Sequence, residues 1–279
     1  MNLKMQQTGA LVVDTFREAL ARKIFWGLFG LSTLLIIFFL FVMKIDIVEG
    51  AVATVSIFGK TNNKEVNLTQ LTHQVFSFIA TFLYTVDMFL ALFASAGLTP
   101  SLLEPGRIEL LLSKPIGRAH LLLGRFFGNL LIVSLNTIYL VLSVWLMLSI
   151  KTGIWTYEFL WTIPASIFMF TVLLPVVVLL GVFTESTALA TMVPAGLMII
   201  SPILAQNKIA ERLLDSEWSR NLWNAVYYVL PKVHDIGRVT LDLVGQRPTT
   251  DATFAVWTSA AFGGVVLATS IYAFIRRDY

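Results

Sequence analysis

The chain contains no cysteine. That absence removes disulfides, thiolate zinc sites, iron–sulfur clusters and cysteine nucleophiles together, while leaving the redox compartment undecided. Histidine is nearly as scarce, and His73, His120 and His234 fall in no HExxH or comparable ligand spacing, so no metal site built by this chain alone is expected. No GxSxG or similar nucleophile motif occurs. The fragment FGKT, Phe58 to Thr61, resembles the end of a phosphate-binding loop, but Thr54 stands where that motif needs glycine. The chain is therefore not expected to be an enzyme. Any uphill work it takes part in needs an energy source elsewhere.

Charge is the other shortage: 13% of the 279 residues are charged against 57% hydrophobic. Mean hydropathy is +0.78, far above that of a soluble domain with an ordinary charged surface. These values describe an integral membrane protein. Spanning needs about 20 apolar residues at about 1.5 Å each. Six stretches qualify, roughly 24–43, 76–98, 121–149, 159–183, 187–205 and 253–275. A bundle of membrane helices needs no division into soluble domains, so residues 1–279 are read as one transmembrane domain. The net charge of +3 and the pI near 9.2 reflect Lys and Arg at membrane borders and carry no nucleic-acid signal. Six spans place both termini on one side. Lys4, Arg17, Arg22 and Lys23 before the first span, Arg276 and Arg277 after the last, and the loop with Arg107, Lys114 and Arg118 make that side the cytoplasm. Before Ile24 the N-terminal stretch has two acids and no apolar core, so it does not read as a signal peptide.

Residues 11–24 predict an amphipathic helix, with Val12, Val13, Phe16, Ala19, Leu20 and Ile24 on one arc and Asp14, Arg17, Glu18 and Arg22 on the other. It suits either the cytoplasmic interface, as an elbow into the first span, or the surface of a protein partner. The outer segment 44–75 contains two β-prone runs around Gly-Lys-Thr-Asn-Asn, which predicts a short hairpin. The outer segment 206–252 predicts two short helices lying at the outer surface. The first carries Leu222, Trp223, Val226, Tyr227 and Leu230 and is ended by Pro231; the second carries Val233, Ile236, Val239 and Leu243. His234-Asp235 reads as a loop pair. Pro164, Pro175, Pro194 and Pro202 fall inside spans four and five and invite kinks.

Asp87, near the middle of span two, is the clear anomaly. A charge at the centre of a lone helix costs about 2.5 to 3.5 kcal/mol, so it should face the bundle interior, a partner or water. By depth, Asn129 and Asn136 bracket its level and are candidate partners. An interhelical hydrogen bond and a place in a transport path both fit it.

Between spans two and three lies the strip EPGRIELLLSKPIGR, Glu104 to Arg118, with five charged residues. Glu104 before Pro105 reads as a helix start, and a short helix then runs to Pro115. Its consecutive leucines cannot all face their own bundle. Ringed by Arg107, Glu109, Lys114 and Arg118, they suit a groove of a soluble partner or, equally, the membrane surface.

The strip resembles one shared by the ABC-2 type permeases, membrane subunits of ATP-binding-cassette exporters, within the group that includes the nitrous-oxide reductase maturation permease. The pattern there is E-x-x-G-T-L-E-x-L-L-S-x-P-[IV]-x-R, followed by G-[KR]-x-x-G at the start of the next span. Glu104, Gly106, Glu109, Leu111, Leu112, Ser113, Pro115 and Arg118 match it with one residue fewer between the first Glu and the Gly. Gly124, Arg125 and Gly128 match the second part, while Arg107 stands where the family usually has Thr. In outline the resemblance also covers the N-terminal helix, the six spans, the turn near Glu185 and the outer segment before the last span.

What the resemblance implies is an all-α polytopic membrane protein of six spans, with an interfacial N-terminal helix, a cytoplasmic coupling helix between spans two and three, and short outer-face elements. Two permease subunits, identical or related, would pair in a bacterial inner membrane. Each would present Glu104, Gly106, Arg107, Glu109, Leu111, Pro115 and Arg118 to a separate ATPase subunit that binds ATP and Mg. Residues 182–188, VFTESTA, would touch the same partner. No cofactor is expected in this chain; membrane lipid and an outer-face protein are further expected partners, and nucleic acid is not. Two rivals remain: a secondary transporter using Asp87, and a scaffold that holds an outer-face protein through residues 206–252.

Overall fold

The computed structural model describes residues 23–42, 44–46, 54–56, 68–96, 117–206, 216–248 and 252–277. In a bilayer every backbone polar group must be satisfied internally, and the long apolar runs accordingly form helices. These are α1 (Lys23–Val42), α2 (Leu68–Ala96), α3 (Arg118–Thr152), α4 (Thr162–Thr184), α5 (Thr187–Leu204), α6 (Glu217–Val229), α7 (Val233–Val244) and α8 (Thr253–Arg276), with a 3-10 turn Tyr157–Trp161 leading into α4. Five helical stretches are long and apolar enough to cross a membrane: Thr72–Ser95, Arg118–Thr152, Tyr157–Thr184, Thr187–Leu204 and Thr253–Arg276. In α1 the apolar part is the shorter Phe25–Phe41, yet its 20 residues make about 30 Å of helix, the thickness of a hydrocarbon core. The protein is an all-α polytopic membrane protein, and each of the six expected spans coincides with a helix.

Three boundaries differ from the sequence reading. Helix α2 starts at Leu68, well before position 76, and α3 runs from Arg118 to Thr152, so Arg118 is the first residue of a helix instead of the end of a loop. Pro164 falls in the first turn of α4, where a missing N–H costs nothing, while Pro175, Pro194 and Pro202 are internal. A small hairpin does form, but its strands are β1 (Lys44–Asp46) and β2 (Thr54–Ser56), paired antiparallel as Lys44↔Ser56, Ile45↔Val55 and Asp46↔Thr54. The expected Gly-Lys-Thr-Asn-Asn turn lies after β2 in the chain, because the β-prone run at 54–56 pairs with the residues just after α1.

Helix α4 is the centre of the bundle. It has no polar face, and it packs against α2, α3, α5 and α8, with Met169, Phe170, Leu173 and Val177 buried. Its closest neighbour is α8. A Cβ on Gly263 would stand 3.1 Å from the Cα of Val172, so the two backbones approach more closely than a side chain there would allow without a small shift. A second core region gathers Phe76, Leu83, Val144, Leu148, Phe159 and Val244 around α2, α3 and α7. The outside is apolar too, with Trp26, Phe78, Phe93, Phe183, Met192 and Trp257 exposed, as a surface facing lipid requires.

The segment between α5 and α8 does not simply lie on the outer surface. No residue of α6 is buried, as a surface helix would show. In α7, by contrast, Val233, Ile236, Gly237, Thr240 and Val244 are buried and the helix lies along α2. Val244 packs with Leu148 and Phe159, near the end of α3, while Val233 sits at the level of Tyr84, twelve residues into the span that begins at Thr72. Over the length of α7 that is a descent of about 16 Å. Helices α6 and α7 form a hairpin that dips into the bundle, with Lys232 at its tip.

Candidate functional site

Of the strip residues, Glu104, Gly106, Arg107, Glu109, Leu111 and Pro115 lie outside the described residues, as do residues 11–22 of the amphipathic helix expected over 11–24. Arg118 is described, and it is not a free surface charge. Its Nη1 donates to the carbonyl of Ile275 at 3.0 Å and to that of Arg277 at 2.7 Å, just where α8 ends. The Arg277 guanidinium in turn donates to the carbonyl of Val182 and to the carboxylate of Glu185. Glu185 stands between α4 and α5 with a left-handed φ of 52°, and its N–H bonds the carbonyl of Gly181. The start of α3, the turn after α4 and the end of α8 are thereby stitched together at one end of the bundle. Sequence reading used Arg277 only as a border charge. A basic and an acidic residue at borders of the same side were the available signal for the pair. Gly124 and Gly128, the second part of the family pattern, are buried one turn apart on α3.

The intramembrane polar residues are placed as a set of interhelical ties. Asp87 is 2% exposed, and its Oδ2 accepts a hydrogen bond of 2.7 Å from the hydroxyl of Thr137 on α3. The expected partners turn elsewhere. Asn136 Oδ1 accepts from Ser32 of α1 at 3.1 Å, and Asn129 Oδ1 accepts from Ser95 of α2 at 3.3 Å. With the Thr33 and Tyr139 hydroxyls 3.0 Å apart as well, helix α3 is tied to α1 twice and to α2 twice through side chains.

Midway down the bundle, the tip of the hairpin is closed by groups from several helices. The Lys232 N–H donates to Ser259 of α8 at 2.9 Å, the His234 N–H to Ser201 of α5 at 3.0 Å, and the Tyr84 hydroxyl to the carbonyl of Val233 at 2.9 Å. The Lys232 side chain is buried, with its ammonium on the carbonyls of Tyr227 and Leu230 and over the Tyr227 ring, 4.1 Å from its centroid. Burial pulls its pKa down. Asp235 is the opposite case. Burial would raise its carboxyl, but hydrogen bonds from His234 and Tyr227 and the nearby positive charge hold it below the usual carboxylate range. The bonded Tyr227 phenol is raised, by burial first and then by Asp235. His234 and Asp235, read as a loop pair, stand instead on the first turn of α7, with Nδ1 3.5 Å from the carboxylate.

Beside this tip a pocket of about 390 Å³ opens between α2, α5 and α7, lined by Tyr84, Phe89, Met198, Pro202, Gly237 and Arg238 among others. Asp87 is not among its lining residues. Gly237 is required where it stands, since a Cβ there would meet the Tyr84 ring at 2.8 Å.

A family model described as ABC-2 family transporter protein matches residues 10–279, nearly the whole chain. The chain belongs to that family. No curated protein matches it.

Proposed function

We propose that this ABC-2 family member is the membrane-spanning subunit of an exporter, with no catalysis of its own, and that a separate ATPase subunit drives it through the strip 104–118. Family membership supplies the class, a multi-pass membrane subunit of an ABC transporter, and an ABC ATPase as partner in general. The observation that supports coupling through the strip is the tie from Arg118 to the end of α8 and on to the turn at Glu185. A force on the strip would reach α3, α4 and α8 together. Coupling needs such an element, with discrete arrangements that the partner favours differently. In this reading two permease subunits pair in the bacterial inner membrane with their termini in the cytoplasm. ATP and Mg bind only to the ATPase, and 182–188 meets the same partner.

The buried contact of Asp87 with Thr137, away from the pocket, favours a packing role for that carboxyl over an ion site. Exposed Trp218, Tyr228 and Val229 on α6 are accounted for by lipid, so a scaffold role has no separate support. The decisive experiment is co-expression with the ATPase encoded nearest to this chain. Association and ATP-dependent activity are expected, with both lost in Leu111→Asp and activity lost in Glu109→Lys. Absence of association, with neither variant changing anything in cells, overturns the reading.

A further inference from the structure

The pocket at the hairpin has a lining that selects its guest. Its walls are apolar, from Phe89, Met198, Ile199 and Val233. The hydroxyls that line it are already committed. Thr81 donates to the carbonyl of Ser77, Thr85 to that of Thr81, and Tyr84 to that of Val233. A sugar or another neutral polar ligand would therefore meet few donors. The donors that remain are basic. Arg238 lines the pocket, is exposed, and makes no hydrogen bond or ion pair among the described residues. His234 lines it as well, with Nδ1 turned to Asp235. A guanidinium beside an apolar wall calls for an anion whose remainder is apolar, since Arg pairs with carboxylate or phosphate in a two-pronged geometry. At about 390 Å³ the pocket is near the small end for ligand sites, which run roughly 300 to 1,000 Å³. A volume of that size suits one acyl tail better than two.

We propose that this pocket binds a single-chain anionic amphiphile, with its head group on Arg238 and His234 and its tail between α2 and α5. The proposal extends the transporter reading by naming a ligand class, and it is scored on the permease without any ATPase. Loss of ATPase association would leave it standing, and its own failure would leave that association standing.

The test uses the full chain in phosphatidylcholine nanodiscs and photoreactive, diazirine-bearing palmitate, alkyl phosphate and fatty alcohol of equal length. After illumination, peptide mass spectrometry is expected to find either or both acidic probes within 81–89, 198–202 and 233–241, with the better head group marking the source. The alcohol should label there about fivefold less. Arg238→Gln should lower acidic labelling by about fivefold, the scale of one lost charge-assisted contact, and Arg238→Lys should retain most of it. Thr85→Trp, at an exposed lining position, should block labelling by filling the mouth. Equal labelling by acid and alcohol, or no change in Arg238→Gln, overturns the proposal. So does absent labelling together with short-range cross-linking of Ile199→Cys between two chains, which would make a second copy the occupant.

Discussion

At the scale of single residues, the weight of the bundle's polar ties is uneven. Bonds such as Ser32–Asn136 and Ser95–Asn129 join neutral groups, and across membrane helices these average about 0.6 kcal/mol. The Asp87–Thr137 bond is different, because removing the hydroxyl leaves a buried acid without its partner. Thr137→Val should therefore cost about 1 to 3 kcal/mol. Asp87→Asn keeps an acceptor for the Thr137 hydroxyl, so it should cost under about 1 kcal/mol and leave activity in place. Thermal unfolding of the purified protein and activity in cells check both; an inactive but equally stable Asp87→Asn would restore the ion-site reading. That Asp87 needs an interior partner was legible from hydropathy alone. The identity of that partner was not. Counting depth along a helix fixes a level but leaves the azimuth open, and Asn136 and Thr137 are about 100° apart around α3. Asn136 faces α1 and its neighbour faces Asp87.

At the scale of elements, the six spans were legible because an unbroken apolar run has one solution in a bilayer. The dip of α7 was not, because its sequence carries too much polarity to look buried. His234, Asp235, Arg238 and Asp242 all fall within its 12 residues. What holds it inside is supplied by distant positions, Tyr84, Ser201 and Ser259, which no local pattern connects to it. Gly237→Ala tests that packing. Tyr84 is buried and bonded at its hydroxyl, so its ring cannot easily give way, and a loss of about 1 to 3 kcal/mol in thermal unfolding is expected. Asp235 adds a dependence on pH. Its folded pKa lies below the unfolded value, so its contribution is complete above about pH 4 and fades as pH falls through the folded value. The difference in unfolding temperature between the protein and Asp235→Asn should shrink as the pH falls from 5 toward 3.

At the scale of the whole molecule, the end of the bundle and its middle are held in different ways. The Arg277–Glu185 pair is partly exposed, and such pairs are worth about 1 kcal/mol or less to stability. Arg277→Ala should therefore leave the unfolding temperature nearly unchanged and the ATPase still bound. ATP-dependent activity should nevertheless fall by about tenfold, roughly 1.4 kcal/mol of coupling. Equal loss of stability and activity would reduce the tie to scaffolding. Topology is open to a direct check, since the chain has no native cysteine, Thr187 is the exposed first residue of α5, and Glu217 is exposed beyond its other end. Thr187→Cys should react only with a cytoplasmic reagent and Glu217→Cys only with an outside one. The sealed tip at Lys232 also has a consequence for biogenesis. Its partner Ser259 lies 27 residues later in the chain, and at about 5 to 20 residues per second the ribosome takes roughly 1 to 5 s to reach it. During that interval the lysine has its carbonyls but no α8 to close over it. The hairpin cannot be sealed before the last span is made, and docking of α8 completes the hairpin as well as the bundle.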